Sequence, residues 1–239
     1  MKKYFLIAAL LLAATANAQY ILGGKIEYER KTNAHAQFDG DEWFERVKAE
    51  VPKFATYNYE LVFDTARTYY KPGKEPESAN RWGKGAAAEN IVYTDIRAKR
   101  VTAQKAIFEA KFLVQDSARK SDWKEKGEIR TIAGHQCHKA VSIICDSVYV
   151  VAFYAEDIPV SGGPEMFGGL PGMILELAIP RLHSTWTATK VDMVTVKDTD
   201  FPIPQKGKKV TQKELMASLK DSFSDWGKSA AINSWWCIL

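Results

Sequence analysis

The feature that most constrains this chain is an alternation of apolar and polar residues that returns in short segments along most of its length. GKIEYE sets Ile26 and Tyr28 against Lys25, Glu27 and Glu29, the period of two that turns one face of a strand to a core and the other to water. Tyr57, Tyr59, Leu61 and Phe63 repeat it, and TARTYY supplies a return strand. IVYTDI, the set Phe108, Ala110, Phe112 and Val114, then GEIRTIAGHQCHKAVSII, SVYVVAFYA, MILELAI and TWTATKVDMVTV continue the series. Helical spacing is found at two places. DEWFERVKAEV spaces Phe44, Val47 and Val51 as a helix does, with Asp41 as N-cap and Pro52 as breaker. VTQKELMASLKDSFSDW has Thr211 and Glu214 at capping-box spacing and puts Met216, Leu219, Phe223 and Trp226 on one face. The expectation is a mainly β (α+β) fold: one antiparallel sheet, curved into a sandwich or half-open β-barrel, with a short N-terminal and a longer C-terminal helix. No repeat of 20 to 50 residues is visible, which counts against a propeller or solenoid.

Residues 1–18 read as a cleaved signal peptide, from Lys2 and Lys3 through the apolar run Leu6 to Ala14 to Ala16-Asn17-Ala18. That leaves 19–239 as a single β-rich domain and predicts export to the periplasm. No Cys follows the cleavage site, so a lipoprotein anchor is not expected. No later stretch reaches the roughly 20 apolar residues of a membrane helix. Of 33 basic side chains, 31 remain once Lys2 and Lys3 are set aside; they face 29 acidic ones, a net charge of +2 with no basic block. Nucleic acid is therefore not an expected partner. Cys137, Cys145 and Cys237 allow three different single disulfides. On one continuous strand Cys137 and Cys145 would lie ~26 Å apart, too far to bridge.

GGLPGMILEL, residues 168–177, poses the question of a working loop against a turn. Pro171 presets φ and Gly172 supplies positive φ, the requirements of a type II turn. The turn launches a strand with Met173, Leu175, Leu177 and Ile179 inward and Glu176 outward. Upstream, IPVSGGPEMFGG (158–169) reads as a flexible loop whose Met166 and Phe167, with Leu170 and Met173, would line a site for an apolar small molecule or lipid. KPGKEPESANRWGKGAAAE (71–89) is a second long loop, placed with the first near the mouth of the sheet. No phosphate-loop pattern follows the glycines.

HQCH is the metal candidate. His135 and Cys137, two apart on a strand, share a face and suit zinc or copper, while His138 faces the other way. His35 or His183 would have to complete the set. Ser161 in VSGGP lacks the G-x-S-x-G elbow of a hydrolase, and Cys137 beside His135 is the alternative nucleophile. Trp235 and Trp236 either dock on the barrel or form an exposed aromatic patch.

The segment from Trp123 to Leu177 carries a longer pattern: Trp123, Ile132, Gly134, Cys137, Lys139, Ala140, Phe153, Tyr154, Ile158, Pro159, Gly163, Pro164, Gly169, Leu170, Pro171 and Gly172. In order and spacing it resembles the GLPGLI family of exported Bacteroidetes proteins. Met173 stands where the family name has Leu, and His135 and His138 where Tyr and Lys are usual. The resemblance implies an envelope protein without assigned activity or catalytic residues, and a strand layout similar to the half-open barrels that carry lipoproteins. Together these features predict an exported, noncatalytic binding or accessory protein taking an apolar ligand or an outer-membrane protein partner. A metal-binding protein built on His135 and Cys137 is the alternative, and a hydrolase the further one.

Overall fold

The computed structural model describes residues 22–40, 42–75, 87–107, 109–145, 147–222, 234–237 and 239. Residues 1–18, read above as a signal peptide, together with Asp41, most of the 71–89 segment, Phe108, Phe223 and Trp226, lie outside the described residues. The strands are β1 (Gly24–Asn33), β2 (Phe54–Phe63), β3 (Arg67–Pro72), β4 (Ile91–Asp95), β5 (Arg100–Ile107), β6 (Ala110–Ser117), β7 (Lys124–Ile132), β8 (His135–Ile144), β9 (Val148–Ala155), β10 (Met173–Ile179), β11 (Ser184–Asp192) and β12 (Lys208–Val210). They form one open 12-stranded sheet in the order β12-β6-β5-β4-β3-β2-β1-β11-β10-β9-β8-β7. All pairs are antiparallel except the parallel β12–β6 pair. The mainly β architecture expected from the alternation is thus what the chain adopts.

Cross-strand partners show how the alternation builds a core. Ile26, Leu61, Tyr70, Val92, Ala103 and Val114 stand opposite one another across β1 to β6. Each is at most 1% exposed, so one continuous apolar row crosses half the sheet. The sheet is strongly curved. Trp186 on β11 and Tyr70 on β3 are three strand spacings apart, ~14 Å in a flat sheet, yet Trp186 Nε1 donates to Tyr70 Oη at 3.2 Å. At the other end Arg130 on β7 reaches Glu176 on β10, again three strands away, at 3.2 Å. The exposed edge strand β7 carries Lys124, Lys126 and Arg130, charges that discourage pairing with another chain.

The hairpin between β7 and β8 is the two-residue turn Ala133-Gly134, with φ of 48° and 87°. Positive φ at both positions is the type I′ geometry that matches strand twist, and it accounts for the glycine of the I-x-G pattern. The opposite face of the sheet holds a small second cluster of Val62, Tyr69 and Phe201, with Arg67 stacked 4.2 Å above the Phe201 ring.

The helices differ from expectation in extent. α1 (Ala34–Gln37) was not legible as a helix; Asn33 caps it, its side chain accepting from the Ala36 N–H. α2 (Glu42–Val47) stops well before Pro52 and packs Phe44 against His35 and Phe38. α3 (Gln212–Ser222) begins at the expected capping box: the Thr211 N–H donates to Glu214 Oε2 at 2.7 Å and the Glu214 N–H to Thr211 Oγ1 at 3.2 Å. Its buried pair is Leu215 and Leu219, with Met216 only half-buried. The seam is therefore one residue round from the expected face. Among the described residues no helix is long and apolar enough to cross a membrane.

Candidate functional site

The segment 158–169 corrects the sequence reading most. It is a packed layer: Ile158, Val160, Gly162, Gly163, Pro164, Glu165 and Phe167 are buried. Its backbone is tied to β10 by the Met173 N–H donating to the Ile158 carbonyl (3.0 Å) and the Ile174 N–H to the Gly162 carbonyl (2.9 Å). Trp123 Nε1 donates to the Gly168 carbonyl at 2.9 Å, and the Gly169 N–H donates to Ser161 Oγ at 2.8 Å. A Cβ on Gly163 would press into Ile174 at 2.8 Å, so that glycine is there for close approach. The expected type II turn is also corrected. Positive φ falls on Gly169 (91°), not on Gly172. Gly172 is required for a different reason, since any Cβ there would overlap the Ala155 carbonyl.

The layer lowers a carboxylate into the concave face. Glu165, 2% exposed with φ 56°, accepts from Asn90 Nδ2 at 2.8 Å and from Tyr70 Oη at 3.4 Å. Tyr70 stacks on Tyr59 with centroids 5.0 Å apart. β1 brings Arg30 to the same interior, because Ile26, Tyr28 and Arg30 follow one another at period two and all three are buried. The Arg30 guanidinium lies 4.4 Å from the Tyr57 centroid, 5.4 Å from Tyr59, 5.7 Å from Trp186 and 4.9 Å from Trp236. A guanidinium suits such a cage, since it is weakly hydrated and planar and stacks on rings. β5 supplies Lys105 in the same way: Val101, Ala103, Lys105 and Ile107 are its inward set. Lys105 Nζ donates to the Cys237 carbonyl at 2.9 Å and the Leu239 carbonyl at 2.7 Å.

Burial dominates the electrostatics. It pulls the Lys105 ammonium down to about 7, against the field of Glu165. The same loss of water raises the Glu165 carboxyl above its usual range, opposed by the Asn90 hydrogen bond and by the charges of Arg30 and Lys105. Tyr70 is held neutral, first by burial and then by Glu165. Arg30 thus sits among aromatic rings, with Lys105 and Glu165 buried in the same interior, an arrangement suited to gripping ring faces and main-chain oxygens.

The four residues expected to line a ligand site fall as follows: Phe167 (4% exposed), Leu170 (3%) and Met173 (0%) are core, and Met166 packs half-buried against it. The metal pair does not converge. His135 Nδ1 bonds Asp157 Oδ2 at 2.7 Å, while Cys137 is fully buried and directs Sγ to the His135 carbonyl at 3.5 Å. Burial pushes the Cys137 thiol up to about 12, far from a thiolate. His138 sits beside Tyr154, with centroids 5.9 Å apart, and His35 Nε2 lies 2.8 Å from the Val51 carbonyl. Among the described residues no group of three or more His, Cys, Asp or Glu is placed to hold a metal ion. Among the described residues Cys137, Cys145 and Cys237 are not joined to one another by a disulfide. Trp236 is buried and Trp235 half-buried, with Arg181 5.5 Å above the Trp235 ring.

Arg30, Lys105 and Glu165 were not anticipated. The signal was present for two of them: a single charged residue at an inward position of an otherwise apolar alternation. Glu165 gave no such sign, because its segment has no period to read.

No curated protein matches the chain in sequence. Among solved structures it is similar to PNGF-II in two crystal forms. In the P21 form the TM-score is 0.53 at 15% identity over 85% of this chain and 33% of that one. In the C2 form it is 0.52 at 14% over 90% and 33%. The chain thus spans about a third of the length of PNGF-II, and the likeness is one of fold. A weaker match, TM-score 0.39 at 10% identity over 82% of this chain and 61% of that one, is to the Pseudomonas aeruginosa MucA/MucB complex. Residues 92–176, from β4 to the middle of β10, match the model of a family described as a protein of unknown function, Porph_ging.

Proposed function

We propose that this chain is a noncatalytic binding protein of the cell envelope, exported to the periplasm through residues 1–18, and that the concave face of its sheet is the binding surface. The observation that carries the reading is the Arg30 cage. Four aromatic rings surround one guanidinium in the interior, an expensive arrangement that a purely structural core does not need. The Ser161 hydroxyl, which accepts from the Gly169 N–H, and the burial of Cys137 favour binding over hydrolysis. The resemblance over Trp123–Leu177 supports membership of the GLPGLI-type family for the chain as a whole.

The test is native mass spectrometry of the protein purified from the periplasmic fraction of its own host, beside affinity capture from envelope extracts. A bound molecule or envelope protein recovered with wild type and lost with Arg30→Met supports the reading. Recovery of nothing, or of the same species with both proteins, overturns the concave face as the site.

A further inference from the structure

Residues 234–237, a single helical turn, and Leu239 lie over the concave face without joining the sheet. They are held in the manner of a bound peptide. Trp236, 2% exposed, is the anchor, 4.9 Å from Arg30 and 6.2 Å from the Trp186 ring. Lys105 donates to two main-chain oxygens, those of Cys237 and Leu239. Trp235 is stacked under Arg181 at the rim. An aromatic anchor on a short helical segment is one of the ways grooves take segments from other chains.

We propose that residues 234–239 are an internal stand-in for a tryptophan-bearing segment of a partner protein, and that the groove between Arg30 and Lys105 receives that segment when it displaces them. The inference rests on the binding reading above and names the class of its ligand. Two observations separate it from a plain hydrophobic plug. Among the described residues the buried Trp236 Nε1 hydrogen meets no acceptor, so the native occupant leaves a donor that a better-fitting segment could satisfy. The groove also spends buried cations where an apolar floor would hold a Trp and a Leu equally well. Lys105 is 1% exposed and its direct hydrogen bonds go to the main chain of this segment, which is recognition of a peptide rather than of a side chain. Burial under the segment lowers the Lys105 ammonium to about 7, so opening the groove takes up a proton above pH 7 and release is favoured as pH falls toward 7. The groups facing Lys105 are Glu165, Arg119 and Cys237.

The probe is a synthetic hexapeptide copying 234–239 with Cys237→Ser, titrated into the full chain by calorimetry. Tethering gives the internal segment an effective concentration of order mM, so wild type should bind the peptide weakly. Trp236→Ala, folded by circular dichroism, should bind at least ~10-fold tighter by the same competition argument. Adding Lys105→Met, or using a peptide with Trp236→Ala, should abolish that gain. Equal affinity for wild type and Trp236→Ala, or insensitivity to Lys105→Met, overturns the proposal. Should Trp236→Ala fail to fold, hydrogen exchange on wild type decides: excess peptide should speed exchange at 234–239 while 100–107 stays protected, and no change refutes displacement. Exchange of 234–239 between two copies, seen as a cross-linked dimer of heavy and light chains, would assign the groove to self-association and overturn the partner assignment. If envelope capture remains Arg30-dependent while the peptide tests fail, the binding surface stands and only the stand-in falls.

Discussion

Replacing Lys105 with Met tests whether the concave chamber is closed to water. Lys105 is 1% exposed and burial brings its ammonium to about 7 from an ordinary 10.5. Below pH 7 both folded and unfolded chains hold the proton, and the full cost of burying the charge is present. Between about pH 7 and 10.5 the folded chain sheds the proton while the unfolded chain keeps it, so stability rises with pH over that window. One proton of difference is ~1.4 kcal/mol per pH unit, or ~3 kcal/mol between pH 7 and 9.5. Lys105→Met has no such proton. It loses two hydrogen bonds to carbonyls but removes the buried charge, so at pH 6.5 it should lie within ~2 kcal/mol of wild type. The assay is urea denaturation of both proteins at half-unit steps from pH 6 to 9.5. Tyr28, Tyr59 and Tyr70, all raised by burial, titrate alike in the two and cancel in the difference. Wild type should gain on Lys105→Met steadily above pH 7. Parallel profiles would mean that Lys105 ionises as it does in water, and the account of a sealed chamber covered by 234–239 would be refuted.

Three further outcomes are expected. Gly172→Ala should lower stability by about 3 kcal/mol through overlap with the Ala155 carbonyl; a loss under 1 kcal/mol by chemical denaturation would show that the approach is not tight. Trp123→Phe removes the bond to the Gly168 carbonyl and should cost ~1–2 kcal/mol while raising hydrogen exchange across 161–169, with unchanged protection there counting against a pinned layer. Iodoacetamide applied to the native, reduced protein should label Cys145, which is exposed, and spare Cys137 and Cys237, whose thiols burial pushes up to about 12 and about 11. Native-state modification of Cys137 would revive it as a reactive thiol.

Much of the sheet was legible because its signal is local. The alternation in Tyr57 to Phe63, the return strand TARTYY and the run MILELAI each follow from the side-chain period of a strand. Thr211 and Glu214 marked a helix start with four residues. The GLPG segment was legible as the entry to a strand, but its glycines were assigned the wrong duty. A glycine that serves positive φ and one that makes room for another chain segment look the same in sequence, and only the Ala155 carbonyl against Gly172 tells them apart. Likewise, a run rich in Gly and Pro reads as a loose loop, whereas here the small residues let 158–169 lie flat on β10.

The candidate site was half visible. Arg30 and Lys105 stand out as charges at inward positions of β1 and β5 once strand and parity are known. What gives them meaning is long-range: sheet curvature brings Trp186 to Tyr70, the 158–169 layer lowers Glu165 between them, and 234–239 closes the chamber. Sequence by itself determined the strand content, the helix start at Thr211 and the residues that must face inward, because those follow from backbone periodicity and nearby hydrogen bonds. Only the tertiary structure decided that the inward face holds a caged Arg30 and a buried Lys105 beside Trp236, since curvature and covering segments depend on contacts between residues 75 to 134 positions apart.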